Sequence, residues 1–204
     1  MNTLIRFRLI VLAISLAGCF SSPLSEFAQR GPESGLDIKS NEDCLAAMKE
    51  SRLEDAAKDV NAVIYRMTIL PVWGNPVAVR AEKHGTTYSL TARRLDGQAG
   101  YSCGTLVEQK DVQLSEADSN ALDLLIAGLN FFQMPTNDDV IGHDGDDWKL
   151  EGVSGGQYHV VYRWAASSVN TRKRGLKPFI ALCKFFIDKS AISQRPSNGG
   201  HKLI

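Results

Sequence analysis

Apolar residues recur along the chain in two rhythms. A period of two governs 77–82, where Val77, Val79 and Ala81 alternate with Ala78, Arg80 and Glu82. It also governs 87–95, where Tyr88, Leu90 and Ala92 alternate with Thr87, Ser89 and Thr91. That is the pattern of half-buried strands. Residues 60–70 (VNAVIYRMTIL) are rich in β-branched and long apolar side chains and read as a strand, as does 104–112. Pro71, Gly74 and Pro76, then His84-Gly85, then Asp96-Gly97 supply the breaks between them. The run predicts an antiparallel meander with one wet face. Further on, DWKLEGV and QYHVVYRWA flank Ser154-Gly155-Gly156 and predict a hairpin. In its second arm Tyr158, Val160, Tyr162 and Trp164 share one face, and His159, Val161 and Arg163 share the other.

A helical rhythm governs the rest. Ala121, Leu122, Leu125, Ile126 and Leu129 predict a helix over about 115–130, opened by Ser115 as an N-cap with Glu116 and Asp118 in its first turn. Phe179, Leu182, Cys183, Phe186 and Ile187 predict another over about 174–189, whose regular part begins near Pro178 because proline suits only a first turn. A thinner stripe of Cys44, Leu45, Met48 and Leu53 predicts a helix over about 42–57, entered through Ser40-Asn41-Glu42-Asp43. The sum is an α+β fold: an antiparallel β-meander plus a C-terminal hairpin, packed on one side against about three helices. A single domain is expected over 41–192, with a loose tail over 193–204 that carries Pro and a Gly pair.

Composition narrows the class. The 204 residues are 44% hydrophobic and 23% charged, with 23 basic against 23 acidic side chains, an ordinary globular balance. Neutrality excludes a broad electrostatic grip on nucleic acid. No second long apolar run follows the N-terminal one, which excludes a multi-span membrane protein.

The first eighteen residues, MNTLIRFRLIVLAISLAG, combine basic Arg6 and Arg8, an uncharged block from Leu9 to Leu16, and small Ala17 and Gly18. This is the three-part layout of an export signal, too short to span about 30 Å of hydrocarbon. Its removal takes away Arg6 and Arg8, so 21 basic residues face 23 acidic ones in the remainder. Leu16-Ala17-Gly18-Cys19 then resembles the lipobox of bacterial lipoproteins. The resemblance implies that Cys19 receives a diacylglyceryl group, that cleavage precedes it, and that its new amine is acylated, palmitate being an expected chain. Two or three chains on one residue anchor stably where one does not. Phe20 stands where Asp resembles an inner-membrane retention signal, so the resemblance implies the outer membrane, with the domain facing the periplasm. Residues 19–40 are expected to form the lipidated terminus and a Ser-, Gly- and Pro-rich spacer.

With Cys19 acylated, Cys44, Cys103 and Cys183 remain, enough for one disulfide and one thiol left over in an exported protein. Cys44 with Cys183 is the pairing weighed here, because it would join the first and last helices; Cys183, within an apolar stripe, also reads as a free buried thiol. No C-x-x-C occurs, so neither a redox motif nor a Cys-rich zinc site is indicated, and no cofactor is expected. The acidic stretch 136–147 holds Asp138, Asp139, His143, Asp144, Asp146 and Asp147, but lacks the ligand spacing of a helix–loop–helix calcium site and reads as a solvated loop. Arg93-Arg94 and Arg172-Lys173-Arg174 read as solvated basic runs.

The hairpin is the most distinctive stretch. Asp144-Gly145, Trp148, Leu150-Glu151-Gly152, then Gly156, Tyr158-His159-Val160-Val161 and Arg163-Trp164 resemble an uncharacterised family of bacterial exported proteins with a DGxxWxLEG…GxYHVVxRW pattern. That resemblance implies a fold and no reaction, and Tyr162 departs from it where an acid often stands. Physically, Glu151, His159 and Arg163 would form a polar site if the hairpin register put them on one face: a carboxylate beside a histidine raises its pKa and fixes its tautomer. The alternative is a cross-strand network that stabilises the sheet. No Ser-His-Asp order, nucleophile elbow or phosphate loop is present. The expected function is a lipid-anchored envelope protein that binds an envelope protein or component without catalysis. An immunity or inhibitor lipoprotein against an envelope-attacking toxin or lysozyme, and an enzyme using Glu151, His159 and Arg163, are the alternatives.

Overall fold

The computed structural model describes residues 38–99 and 101–193. The export signal, Cys19, most of the spacer and the tail beyond Ser193 lie outside the described residues.

Six antiparallel strands form one sheet: β1 (Ile64–Leu70), β2 (Val77–His84), β3 (Thr87–Leu95), β4 (Leu106–Gln113), β5 (Asp147–Ser154) and β6 (Gln157–Trp164). Their order is β4-β3-β2-β1-β5-β6, so the expected meander runs outward from β1 and the hairpin docks on β1's other side. The helices are α1 (Ile38–Ala47), α2 (Leu53–Ala56), α3 (Glu116–Leu129) and α4 (Lys177–Lys189). The fold is α+β.

Alternation along the strands sorts the sheet into two unlike faces. One face carries Met67, Ile69, Val79, Ala81, Leu90, Ala92, Leu150 and Val161, packed against Leu122 and Ile126 of α3 and Phe179, Leu182, Cys183 and Phe186 of α4. Ser115 caps α3 as its sequence requires, its hydroxyl accepting from Asp118 N at 3.1 Å. Lys177 opens α4 with Pro178 in its first turn, later than the expected 174.

The second face is not simply wet. The expected single helix over 42–57 is broken in two. Lys49 takes φ 59°, while Glu50 N bonds Leu45 O and Lys49 N bonds Ala46 O, both at 2.9 Å. Those two bonds are the Schellman ending of a helix. They turn the chain so that α1 and α2 cross this face. Cys44, Leu45 and Met48 pack there on Leu70, Ala78, Leu95 and Ala99 in a second, smaller core.

Cys44 is disulfide-bonded to Cys103, in the loop after β3, with 5.2 Å between Cα atoms. The weighed Cys44–Cys183 pairing is therefore corrected. The cause is the sheet itself: α1 and α4 lie on opposite faces, so the two sulfurs are separated by its thickness. Cys183 is a free thiol, fully buried, whose pKa burial drives upward.

Between β5 and β6, Gly155 and Gly156, both at positive φ, make a two-residue turn that pairs Ser154 with Gln157. Gly152 is then opposite His159. A Cβ on Gly152 would lie 2.5 Å from Phe131 Cε1 and 2.9 Å from the Tyr65 ring, so only glycine lets these two rings meet edge-on across the strand, 6.0 Å apart.

Two consequences are measurable. Breaking the disulfide by Cys44→Ala or Cys103→Ala is expected to lower stability by about 2–4 kcal/mol in urea titrations, and the denatured, unreduced chain should expose Cys183 and not Cys103 to a thiol reagent; labelling of Cys103 would contradict the pairing. Gly152→Ala is expected to cost about 1–3 kcal/mol through overpacking against Phe131 and Tyr65, and an unchanged melting temperature would refute that account.

Candidate functional site

The register fixed by the two-residue turn separates the sequence-predicted trio. Glu151 is paired with Val160 and lies on the α1–α2 face; His159 and Arg163 lie on the α3–α4 face with Val161. The register that a shared face for Glu151, His159 and Arg163 required is not the one formed: a turn one residue shorter than Ser154-Gly155-Gly156 changes which residues oppose one another, and parity then puts His159 across the sheet from Glu151.

Each member has a structural partner instead. His159 Nε2 is 2.9 Å from Met134 O, and its ring lies edge-on to Phe131 at 5.1 Å. The Arg163 guanidinium donates to Pro135 O, Thr136 O and Tyr162 O at 2.6–3.1 Å. It thereby straps the 134–138 segment along the edge of β6. Burial, and the Arg174 cation nearby, lower the Arg163 pKa, while Asp138 opposes them. Asp138 takes two bonds from Arg174, at 2.8 and 3.2 Å. Gly142 and Gly145 lie so close to the Trp164 indole that a Cβ would overlap it, and Trp148 is wholly buried. The motif residues of the hairpin thus build the fold. Among the described residues no group of three His, Cys, Asp or Glu side chains is placed to hold a metal.

Glu151 belongs to a buried ion network that the sequence reading missed. Arg66, in the middle of β1, is 1% exposed and Glu151 is 2% exposed. Arg66 Nε and Nη2 both reach Glu151 Oε2 at 2.8 Å. Arg66 Nη1 is 3.2 Å from Glu50 Oε2 and donates to Ser51 O at 2.7 Å. Glu50 is held as well by Arg80 Nε at 3.2 Å and by Arg93 Nη1 at 2.6 Å. Arg80 also pairs with Glu82. The other oxygen of Glu151 accepts from the Tyr158 hydroxyl at 3.0 Å and lies 3.2 Å from Lys149 Nζ. Burial alone would raise the Glu151 pKa; Lys149 and Arg66 outweigh it and hold the carboxyl below its ordinary range. Burial beside the Glu151 charge pushes the Tyr158 phenol upward. The expectation that Arg93, Arg94 and Arg174 are solvated is corrected too: all three are largely buried in ion pairs with Glu50, Glu108 and Asp138. The signal in the sequence was Arg66 itself, a lone charge inside an apolar strand pattern, which implies a buried counter-ion.

The exposed chemistry lies at the end of the sheet where β1 and β3 finish. Trp73, in the loop 71–76, and Tyr101, in the loop 96–105, are 50% and 70% exposed, with ring centroids 5.4 Å apart. Of the other large exposed apolar residues, Val60 and Leu124 lie elsewhere in the fold, Ile141 lies in the loop that leads into β5, and Val107 opens β4 at this same end. The loops that carry the pair are braced. Ala99 N donates to Pro71 O at 3.2 Å, Asn75 Nδ2 to Gly97 O at 3.1 Å, and Thr105 N to Asp96 Oδ1 at 2.7 Å. Cys103, two residues from Tyr101, carries the disulfide to α1. A rigid pair of rings on short, tied loops is pre-ordered for contact, and so loses little entropy on binding.

Comparison with protein-family models and with curated proteins finds no match, and the functional reading rests on the residues and their geometry.

Replacing Glu151 tests the network. Glu151→Gln leaves Arg66 buried with less counter-charge and is expected to cost about 3–5 kcal/mol. Because the folded-state pKa of Glu151 lies below its unfolded value, its contribution is full above about pH 4.3 and is lost as pH falls through the folded value. Urea titrations at successively lower pH should therefore show a shallower acid loss in Glu151→Gln than in the parent; parallel curves would contradict the assignment.

Proposed function

We propose that the chain is a lipid-anchored protein of the bacterial envelope, held in the outer membrane by acylated Cys19 with its α+β domain facing the periplasm, and that the domain works by binding and not by catalysis. The observation that carries this reading is the run Leu16-Ala17-Gly18-Cys19 behind a basic, then apolar, start. The Cys44–Cys103 disulfide supports it, since such bonds form and persist in exported compartments. Among the described residues no helix is long and apolar enough to cross a membrane.

Binding is favoured over catalysis by where the polar groups stand. The one acid–base constellation in the sequence is divided between the two faces, Glu151 saturated by Arg66, Lys149 and Tyr158, and His159 engaged with Met134 O. The exposed Trp73–Tyr101 pair on braced loops is the surface that suits contact. Aromatic residues of this kind dominate the energetics of recognition surfaces.

The test is mass spectrometry of protein extracted from bacterial membranes. The N-terminal peptide is expected to begin at Cys19 and to carry acyl chains, and Cys19→Ala is expected to abolish that mass and release the domain from the membrane fraction. An intact Met1, or a processed terminus without acyl mass, would overturn the anchor.

A further inference from the structure

We propose that Trp73 and Tyr101 seat this corner of the domain in the interfacial layer of the same bilayer that holds the lipid anchor. The inference rests on the anchor proposed above and goes further, assigning the aromatic pair a partner and the domain an orientation.

Three observations converge on the lipid surface. The first is where the chain enters. Cys44 of α1 is bonded to the loop that carries Tyr101, whereas Glu50, just past the helix, lies over the middle of the sheet against Arg66, Arg80 and Arg93. The helix therefore starts at the Trp73–Tyr101 end and runs inward, and the chain from Cys19 arrives there. Only eighteen residues separate Cys19 from Ile38. The anchor keeps this end, more than the opposite one, within reach of the membrane.

The second is charge. In a chain that is 23% charged, the loops 71–76 and 96–105 together carry one charge, Asp96, and its carboxylate is bonded to Thr105. The other exposed charges of this end lie beside these loops, Glu42 and Asp43 in α1 and Asp139, Asp144, Arg172 and Lys173 on the β5–β6 side. The tips of the two loops can enter a headgroup layer without stripping water from unpaired ions, while Glu42 and Asp43 of α1 stay in water behind them.

The third is residue type. Trp and Tyr, each an apolar ring with one polar handle, are the side chains that settle at the membrane–water interface.

The experiment uses the full chain, purified from membranes, its acylation verified by mass, and reconstituted in vesicles of phosphatidylethanolamine and phosphatidylglycerol whose acyl chains are brominated at shallow depth. Trp148 is fully buried and Trp164 is packed on Gly142 and Gly145, so Trp73 is the tryptophan that lipid bromine should quench. Quenching is expected in the parent and lost in Trp73→Phe, and Tyr101→Asp, which keeps the reporter and adds a charge, is expected to reduce it. Both positions are at least half exposed, so the variants should melt as the parent does. Acylated protein with equal quenching in the parent and Trp73→Phe overturns the seat and leaves the anchor standing. Trp73 emission that responds to soluble peptidoglycan fragments and not to brominated lipid also overturns it. Absence of the acyl mass removes the anchor and the seat together.

Discussion

One carboxylate organises the second layer of this protein. Glu50 stands at the break between α1 and α2 and is gripped by arginines from three neighbouring strands, Arg66 of β1, Arg80 of β2 and Arg93 of β3. Removing such a group from water costs several kcal/mol, and the attraction of its partners repays this only when nearly every lone pair and proton is satisfied. Here Arg66 meets that condition from both sides, with Glu50 and Ser51 O at one end and Glu151 at the other. A hydrophobic substitute would cover the sheet as well, but would not fix where the crossing segment lies. The ion network specifies one position for the α1–α2 crossing over a face that alternation alone would leave wet.

The same network explains which parts of the fold were legible beforehand. Strand alternation and helical stripes are local, and they gave β2, β3, the Ser115 cap and the face shared by Phe179, Leu182 and Phe186. Arg66 was visible as an anomaly in 60–70, but its partners are 16 and 85 residues away in the chain. No local rule reaches that far. The break at Lys49 was hidden for a related reason: a lysine in the left-handed conformation has no signature in composition, and it is the reach of Glu50 toward the arginines that makes the turn worth its strain.

Two further possibilities open in the sequence are closed by geometry and not by chemistry. Cys44 and Cys183 each sit on an apolar helix face, but the helices flank opposite sides of the sheet, and Cys103 is the thiol on the Cys44 side. The hairpin trio failed by a single residue of turn length. Side-chain direction in a strand has a period of two, so treating Ser154 as turn and not as strand reverses the relation of the two arms. Residue types in the motif were read correctly as special, and their use is packing: Gly152 admits Phe131, and Arg163 ties 134–138 to the sheet edge.

These commitments bear on where function can lie. A buried charge that already holds a full set of partners has no free valence with which to take or give a proton, and releasing one would leave its counter-ion stranded in a dry layer. Glu151, Arg66 and Glu50 are in that state. The hairpin aromatics are likewise turned inward, against Phe131 and against the Gly142–Gly145 loop. Among the described residues, the exposed aromatic pair stands at the end where the chain enters, on loops tied by Asp96, Asn75 and the disulfide. The disulfide rigidifies the loop that displays Tyr101 and fixes that loop to α1. The covalent bond that stabilises the domain thus also joins its first helix to the aromatic corner.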